Sequence, residues 1–344
     1  MRTNKKNQIR KKIIFSKNFT DIILTIFVFV IILIIISNPE KFTNGTVSGL
    51  KLFFFNVLPG LFPFMLLTKL ITEIGLVYQI CQKLDKFSYK IFGTPGISIY
   101  AFLMSILSGY PLGSKIIADL YLKNQITEQD AKKMSIFCTT SGPIFIIGTV
   151  GTIMFKNYKF GIVLYASHIL SSLLLGIAYN FFTKRKNTNT NKIVIFQKQL
   201  QYEKSTNIIS KCINETINSL FIVGAYITIF YLIGEVFEIL NIFKILNSIF
   251  SKSFKIFGFN NIQSSGFIYG VLEVTRGAKI LSILPSSSSL ILATGIVSFS
   301  GLSIIMQSMA FLKEAKIKAH NFIFSKCVHC IVSMIICALF FVII

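Results

Sequence analysis

The sequence predicts an all-α polytopic membrane protein, and three observations carry that prediction. Hydrophobic residues fill 53% of the 344 positions, against roughly 45–50% in soluble domains even when glycine is counted. Charged residues make up only 14%, where about 25% is usual. The apolar residues gather into runs long enough to cross a bilayer, with lysine concentrated at their ends. Disorder, collagen-like fibre and a small disulfide scaffold are excluded by the same composition. The net charge of +22 fits basic loops that fix orientation and meet anionic head groups. A nucleic-acid partner is not expected.

Residues 1–44 read as a basic N-terminus and a first membrane helix. Residues 1–17 carry seven basic side chains and no acid, and Ile22 to Ile36 is apolar apart from Thr25. No small-residue cleavage site follows, so a retained helix with its basic end in the cytoplasm is expected. Six further apolar regions, at 47–71, 133–155, 158–182, 208–240, 288–311 and 319–344, read as full or interrupted spans. Glycine and polar residues break two others, 97–122 and 262–284. Residues 76–92 and 242–257 mix lysine with large apolar side chains and suit the membrane interface. Residues 183–207 are polar and basic and read as a cytoplasmic linker.

The linker separates two similar halves, 45–182 and 208–344. Lys90-Ile91-Phe92-Gly93 returns as Lys255-Ile256-Phe257-Gly258, and Gly113-Ser114-Lys115-Ile116 returns as Gly277-Ala278-Lys279-Ile280. Ser141-Gly142 matches Ser300-Gly301, and His168 matches His329. Each half runs span, amphipathic stretch, broken segment, interrupted span, span. If both broken segments are re-entrant hairpins, basic loops 1–17, 123–133, 183–207 and 313–318 share the cytoplasmic side. Each half then holds an odd number of spans and the repeat is inverted. Secondary transporters are commonly built that way, with sites where broken helices meet near the midplane.

The first hairpin tip reads Ser108-Gly109-Tyr110-Pro111-Leu112-Gly113-Ser114-Lys115. Glycine and proline stop a helix, and a helix restarting after Pro111 would aim its N-terminal N–H groups at the tip, an arrangement that suits an anion. A kink in a fully spanning helix is the alternative. The second tip reads Glu273-Val274-Thr275-Arg276-Gly277-Ala278-Lys279. Arg276 offers a fork for a carboxylate of the cargo, and Glu273 could bind a coupling proton or cation; a structural Glu273–Arg276 pair is the competing reading. Thr140, Ser141 and Gly142, and Ser300 and Gly301 with Gln307, sit at the interrupted spans, where hydroxyls replace water around a polar solute or simply let helices approach. His168 and His329 are expected to share an interhelical hydrogen bond, and Asp119 is a secondary candidate. The six cysteines, Cys327-x-x-Cys330 included, read as small apolar residues. No phosphate-binding loop, metal-binding helix motif or nucleophile elbow is present in the sequence, so neither an enzyme nor a cofactor is expected.

The first tip motif, together with Phe137 to Gly148, Glu273-Val-Thr-Arg-Gly277 and Ser300-Gly-Leu-Ser303 with Gln307, resembles the YlbJ (SpoVV) family of sporulation integral membrane proteins, which carry a nucleoside-recognition gate domain. The resemblance covers roughly residues 45–344. Thr139 and Gly142 stand where that family usually has asparagine, and Ile305 where it commonly has histidine. The resemblance implies a fold similar to concentrative nucleoside transporters and a place in the outer forespore membrane. It implies dipicolinate as cargo, a small aromatic dianion moved toward the forespore. Such an anion would suit helix N-termini, Arg276, Lys115 or Lys279, and Tyr110 or Tyr269. A carrier with alternating access at the hairpin tips, coupled to a proton, to sodium or to neither, is the leading expectation. A nucleoside-type carrier, an assembly protein of the spore envelope and a lipid-directed enzyme are the others.

Overall fold

The computed structural model describes residues 21–22, 25–26, 28–183 and 205–343. Among them there are helices and turns and no strand. The basic residues 1–17 and nearly all of the linker 183–207 lie outside the described residues.

The first half opens with α1 (Val28–Ser37) and α2 (Pro39–Leu52), whose axes differ by 104° across Asn38. A π-helical turn at Phe53–Val57 leads into α3 (Leu58–Ile74), so the expected span 47–71 is interrupted rather than uniform. Two short amphipathic helices follow, α4 (Leu76–Lys83) and α5 (Asp85–Ile91). The broken segment is a pair of helices, α6 (Ile97–Ser108) and α7 (Leu112–Leu122). Next come α8 (Glu128–Phe137), an unwound stretch, a π-helical segment Ile144–Met154, and the long α9 (Tyr158–Phe182).

The second half repeats the order. It has α10 (Ser205–Ile239), amphipathic α11 (Ile242–Ile256), the paired α12 (Asn261–Leu272) and α13 (Val274–Leu281), the broken α14 (Ser287–Phe299) and α15 (Gly301–Leu312), and α16 (Ala319–Ile343). The same five kinds of element therefore recur in the same order.

Among the described residues, four stretches are long and apolar enough to cross a membrane: Tyr158–Phe182, Ile208–Ile239, Ser287–Ala315 and Ala319–Val342; the bent α1–α2 pair, taken as one span, makes a fifth. The Ser287–Ala315 span is 78% buried, against 33–39% for the other three, so it runs through the centre and they face outward. Large apolar side chains such as Leu174, Phe221, Ile331 and Ile335 are exposed on those outer helices, as lipid contact requires. The inward faces are small and hydroxylated instead: Ser167, Ser171, Ser172, Thr294, Ser298 and Ser333 are buried. Without a hydrophobic force between helices in lipid, close approach of small residues supplies the packing. Gly45 and Gly49 of α2 do this against α10, where a Cβ on Gly49 would stand 2.9 Å from the Thr228 backbone.

Two packing relations position the site. The second arm of the first hairpin, α7, lies against α15, part of the broken span of the second half. The second arm of the other hairpin, α13, lies against the Ile144–Met154 segment of the first half. Each hairpin thus leans on the interrupted span of the other half, while α9, α14 and α16 pack together behind them.

Local signals start these helices cleanly. Thr127 and Asp130 form a reciprocal capping box at α8, and Asn260 and Gln263 form another at α12. Thr127→Ala is expected to cost about 1 kcal/mol, read as a lower unfolding midpoint in detergent without loss of membrane insertion.

Candidate functional site: a cavity between two hairpin tips

Backbone chemistry decides where the site lies. Unwinding a helix in the bilayer interior frees N–H and C=O groups that need protein partners. Around 137–143 several of the freed groups have one. Ser172 Oγ donates to the Phe137 carbonyl at 2.8 Å, and Lys326 Nζ donates to the Thr139 carbonyl at 2.6 Å. The Thr140 N–H donates to Ser105 Oγ and the Ser141 N–H to His168 Nε2, both at 2.9 Å. Because Nε2 accepts, the proton of His168 sits on Nδ1, which reaches Ser298 Oγ at 2.8 Å. His329 stacks on His168 with centroids 4.8 Å apart, and its Nε2 meets the His168 carbonyl at 3.1 Å. The expected interhelical histidine bond is therefore present, and it lies in a scaffold that holds the unwound strand.

The second break is tighter. Ser300 takes φ +80° and Gly301 φ +62°, two consecutive left-handed residues that end α14 and start α15. A serine there carries backbone strain that its surroundings must hold in place. Ser300 is buried, with its hydroxyl 3.5 Å from the Ser298 carbonyl.

The first tip turns at Gly109, with φ +88° and ψ −168°, a conformation open only to glycine. A Cβ at Gly109 would stand 2.5 Å from the Gly142 nitrogen, so tip and break touch backbone to backbone. The second tip turns at Glu273, whose carboxylate accepts from the N–H groups of Thr275 (3.0 Å) and Arg276 (2.8 Å). The N-terminus of α13 is thus already filled by an anion of the protein itself.

Between these tips and breaks is a cavity of ≈ 170 Å³. The tips contribute Ser108, Gly109 and Tyr110 on one side and Glu273 and Thr275 on the other; the broken spans contribute Ser141, Gly142, Thr149, Ser303 and Gln307; apolar residues of α2, α3 and α10 close the rest. A cavity of about 150 Å³ accepts a benzene-sized guest, so this one takes a single small ring. The Ser108 Oγ is buried there without a hydrogen-bond partner.

Seven of the residues singled out from the sequence line this space: Gly109, Tyr110, Ser141, Gly142, Glu273, Thr275 and Gln307. The others stand around it. Pro111 precedes α7, and Gly113 packs against the Cys138 carbonyl. Ser114 is buried with its hydroxyl unpartnered, and Thr140 bonds Ser105. Gly277 meets the Gly270 backbone, and Gly301 lies against the Gly270 carbonyl. Lys279 is exposed. Lys115 pairs with Asp119 at 2.9 Å within a network of Lys69, Glu73, Lys123 and Glu215 that ties α7 to α3 and α10. The Glu273–Arg276 side-chain pair is not what forms at Arg276. Its Nη2 donates to Glu235 of α10 at 2.6 Å, and its guanidinium lies over the Tyr231 ring at 4.9 Å. Glu273 sits above the start of α13 and accepts from the backbone, so the guanidinium is left to turn outward to α10.

Two charged neighbours of the site were not legible from the sequence. Lys326 of α16 is 1% exposed and stands behind Tyr110, 3.1 Å from its hydroxyl. Glu235 lies in a long apolar helix with no local motif. Lys326 comes early in its own apolar run, where a lysine reads as one that extends to the membrane surface.

This arrangement defines a class: a multi-pass integral membrane protein whose two halves present hairpin tips and helix breaks to one polar cavity. No family model matches the chain. A sporulation integral membrane protein, YlbJ of Bacillus subtilis (strain 168), is 26% identical over 328 residues, covering 90% of this chain and 80% of that protein. This similarity supports the YlbJ family assignment that the tip and break motifs imply. A solved structure of CNTnw, a concentrative nucleoside transporter captured as a doubly substituted form in an outward-facing state, superposes with a TM-score of 0.48 and 13% identity, covering 91% of this chain and 86% of that one.

Proposed function

We propose that the protein is a membrane carrier for a small organic anion, and that its cargo is dipicolinate moved across the outer forespore membrane during sporulation. The observation that carries the transport reading is the cavity itself, where two hairpin tips and two broken spans meet around a space the size of one ring. A structural protein has no need to keep irregular backbone and unpaired hydroxyls at such a depth. The N-terminus is cytoplasmic, the two halves are inverted, and the hairpins are re-entrant and open in alternation. No covalent step occurs. A proton or a sodium ion is the coupling partner if transport is uphill.

The YlbJ resemblance supports the choice of cargo, and the chemistry of the first tip accommodates it. Glu273 repels carboxylates, so a dianion would sit toward Tyr110, with the α7 N-terminus on its far side. Ser108, Ser141, Ser303 and Gln307 offer hydroxyl and amide donors. Purified protein in liposomes should take up radiolabelled dipicolinate saturably, and Tyr110→Ala should slow that uptake about tenfold or more, the loss of one aromatic face and hydroxyl. Uptake no faster than in protein-free liposomes would remove dipicolinate. Saturable nucleoside uptake under the same conditions would turn the reading to a nucleoside-type carrier. Spores lacking the protein should contain less dipicolinate.

A further inference from the structure

A ladder of charges runs between α3 and the second arm of the first hairpin. Lys69 and Glu73 stand one turn apart on α3, and Lys115, Asp119 and Lys123 follow one another at the same spacing along α7 and its C-cap. Lys69 Nζ donates to Asp119 at 3.0 Å, and one turn further on Lys123 Nζ donates to Glu73 at 2.6 Å. The two helices therefore run the same way here, with their charges in step. Lys115 pairs with Asp119 along α7 at 2.9 Å, and Glu215 of α10 meets Lys69 at 2.5 Å. These side chains are between 10% and 36% exposed, so water screens them only in part.

Packing is open at this level. A cavity of ≈ 20 Å³ lies between the helices, lined by Met65, Thr68 and Thr72 of α3 and Leu112 and Ile116 of α7. The Thr68 hydroxyl is buried there without a hydrogen-bond partner. The charges span this gap, and their order selects one register. Moving α7 along α3 by one turn, about 5.4 Å, brings Lys69 opposite Lys115 in one direction and opposite Lys123 in the other. In the first case Glu73 also comes opposite Asp119. Each such meeting is repulsive, which is how like charges reject a wrong alignment.

We propose that this ladder sets the register of α7 on α3, and through it the depth at which the first tip enters the cavity. Ser108 and Tyr110, which line the cavity, stand just ahead of the start of α7 at Leu112. Lys69, Glu73, Asp119 and Lys123 are positioning residues: they reach the cavity only through the tip that α7 carries. The inference is independent of what the cavity holds.

Pulsed electron paramagnetic resonance in nanodiscs reads the register without any cargo. Spin labels go on Phe55→Cys, in the π-helical turn before α3, and Leu122→Cys, at the end of α7; both sites are exposed. A Cys327→Ser background removes the exposed native thiol. The parent should give one distance. Lys115→Glu, Asp119→Lys and Lys123→Glu together set like charges face to face in the present register and opposite charges face to face one turn further on. The distance should then lengthen by about 5 Å, the rise of one turn. Adding Lys69→Glu, Glu73→Lys and Glu215→Lys should return it to the parent value. Glu73→Gln with Asp119→Asn keeps the shapes and removes the negative rungs. It should broaden the parent distance distribution about twofold, and it carries the test if the reversed variant does not fold. An unchanged distance after the three reversals, no return after six, or a parent-like width in the neutralised pair would each overturn the proposal.

Discussion

Arg276→Gln should destabilise the protein by about 2–3 kcal/mol, seen as a lower unfolding midpoint in detergent. Its guanidinium donates to Glu235 at 2.6 Å, and the two side chains are only 22% and 20% exposed. Breaking a fully buried pair costs about 3–5 kcal/mol because the remaining charge loses its partner, and the one-fifth exposure here lowers that figure. Glu235 has little room to turn toward solvent. The Gly45 backbone lies so close that a Cβ there would stand 2.8 Å from the Glu235 side chain. The Tyr231 face, 4.9 Å from the guanidinium carbon, would also lose its cation. Replacing both partners, Glu235→Gln with Arg276→Gln, should recover at least half of the loss, since no charge is then left stranded. A double variant no better than the single one would show that the guanidinium acts through its ring contact instead.

Gly113→Ala should be the more damaging change to the first tip, costing about 3 kcal/mol, the upper end for an overpacked site. A Cβ at this position would overlap the Cys138 carbonyl and stand 2.8 Å from Ser105 Oγ. The carbonyl belongs to the unwound strand, whose other backbone groups are held by Ser105, His168, Ser172 and Lys326, so it cannot step aside. The α7 helix must move instead, carrying Pro111, Tyr110 and the Gly109–Gly142 contact with it. Membrane insertion should persist, while the unfolding midpoint falls and cargo uptake drops. Gly148→Ala is the matched control, because nothing stands within 4 Å of its Cβ position; its midpoint should move by no more than about 0.5 kcal/mol equivalent.

Much of this protein was readable from apolar run length and from glycine and proline punctuation. Those two signals predict the order of elements in both halves, because a bilayer forces backbone to be helical wherever it meets lipid and reserves breaks for protected places. Gly109 and Pro111, Ser141 and Gly142, and Ser300 and Gly301 mark such places, and all stand at or beside the cavity. The partners of long charged side chains were not readable. Arg276 and Glu273 are three residues apart, a spacing that suggests a pair on one helix face. The helix actually begins between them, so Glu273 caps it and Arg276 reaches Glu235 41 positions away. Lys115 likewise reads as a substrate contact from its place near the tip, yet the next turn of α7 supplies Asp119. The π-helical turn at Phe53–Val57 has no local cue that distinguishes Phe-Phe-Phe-Asn-Val from an ordinary apolar turn.

The crossed supports of the hairpins have a mechanical consequence. Since α7 rests partly on α15 and α13 partly on Ile144–Met154, each gate is shared between the two halves. Prising the halves apart would loosen both gates at once, so the molecule is interlocked like two clasped hands.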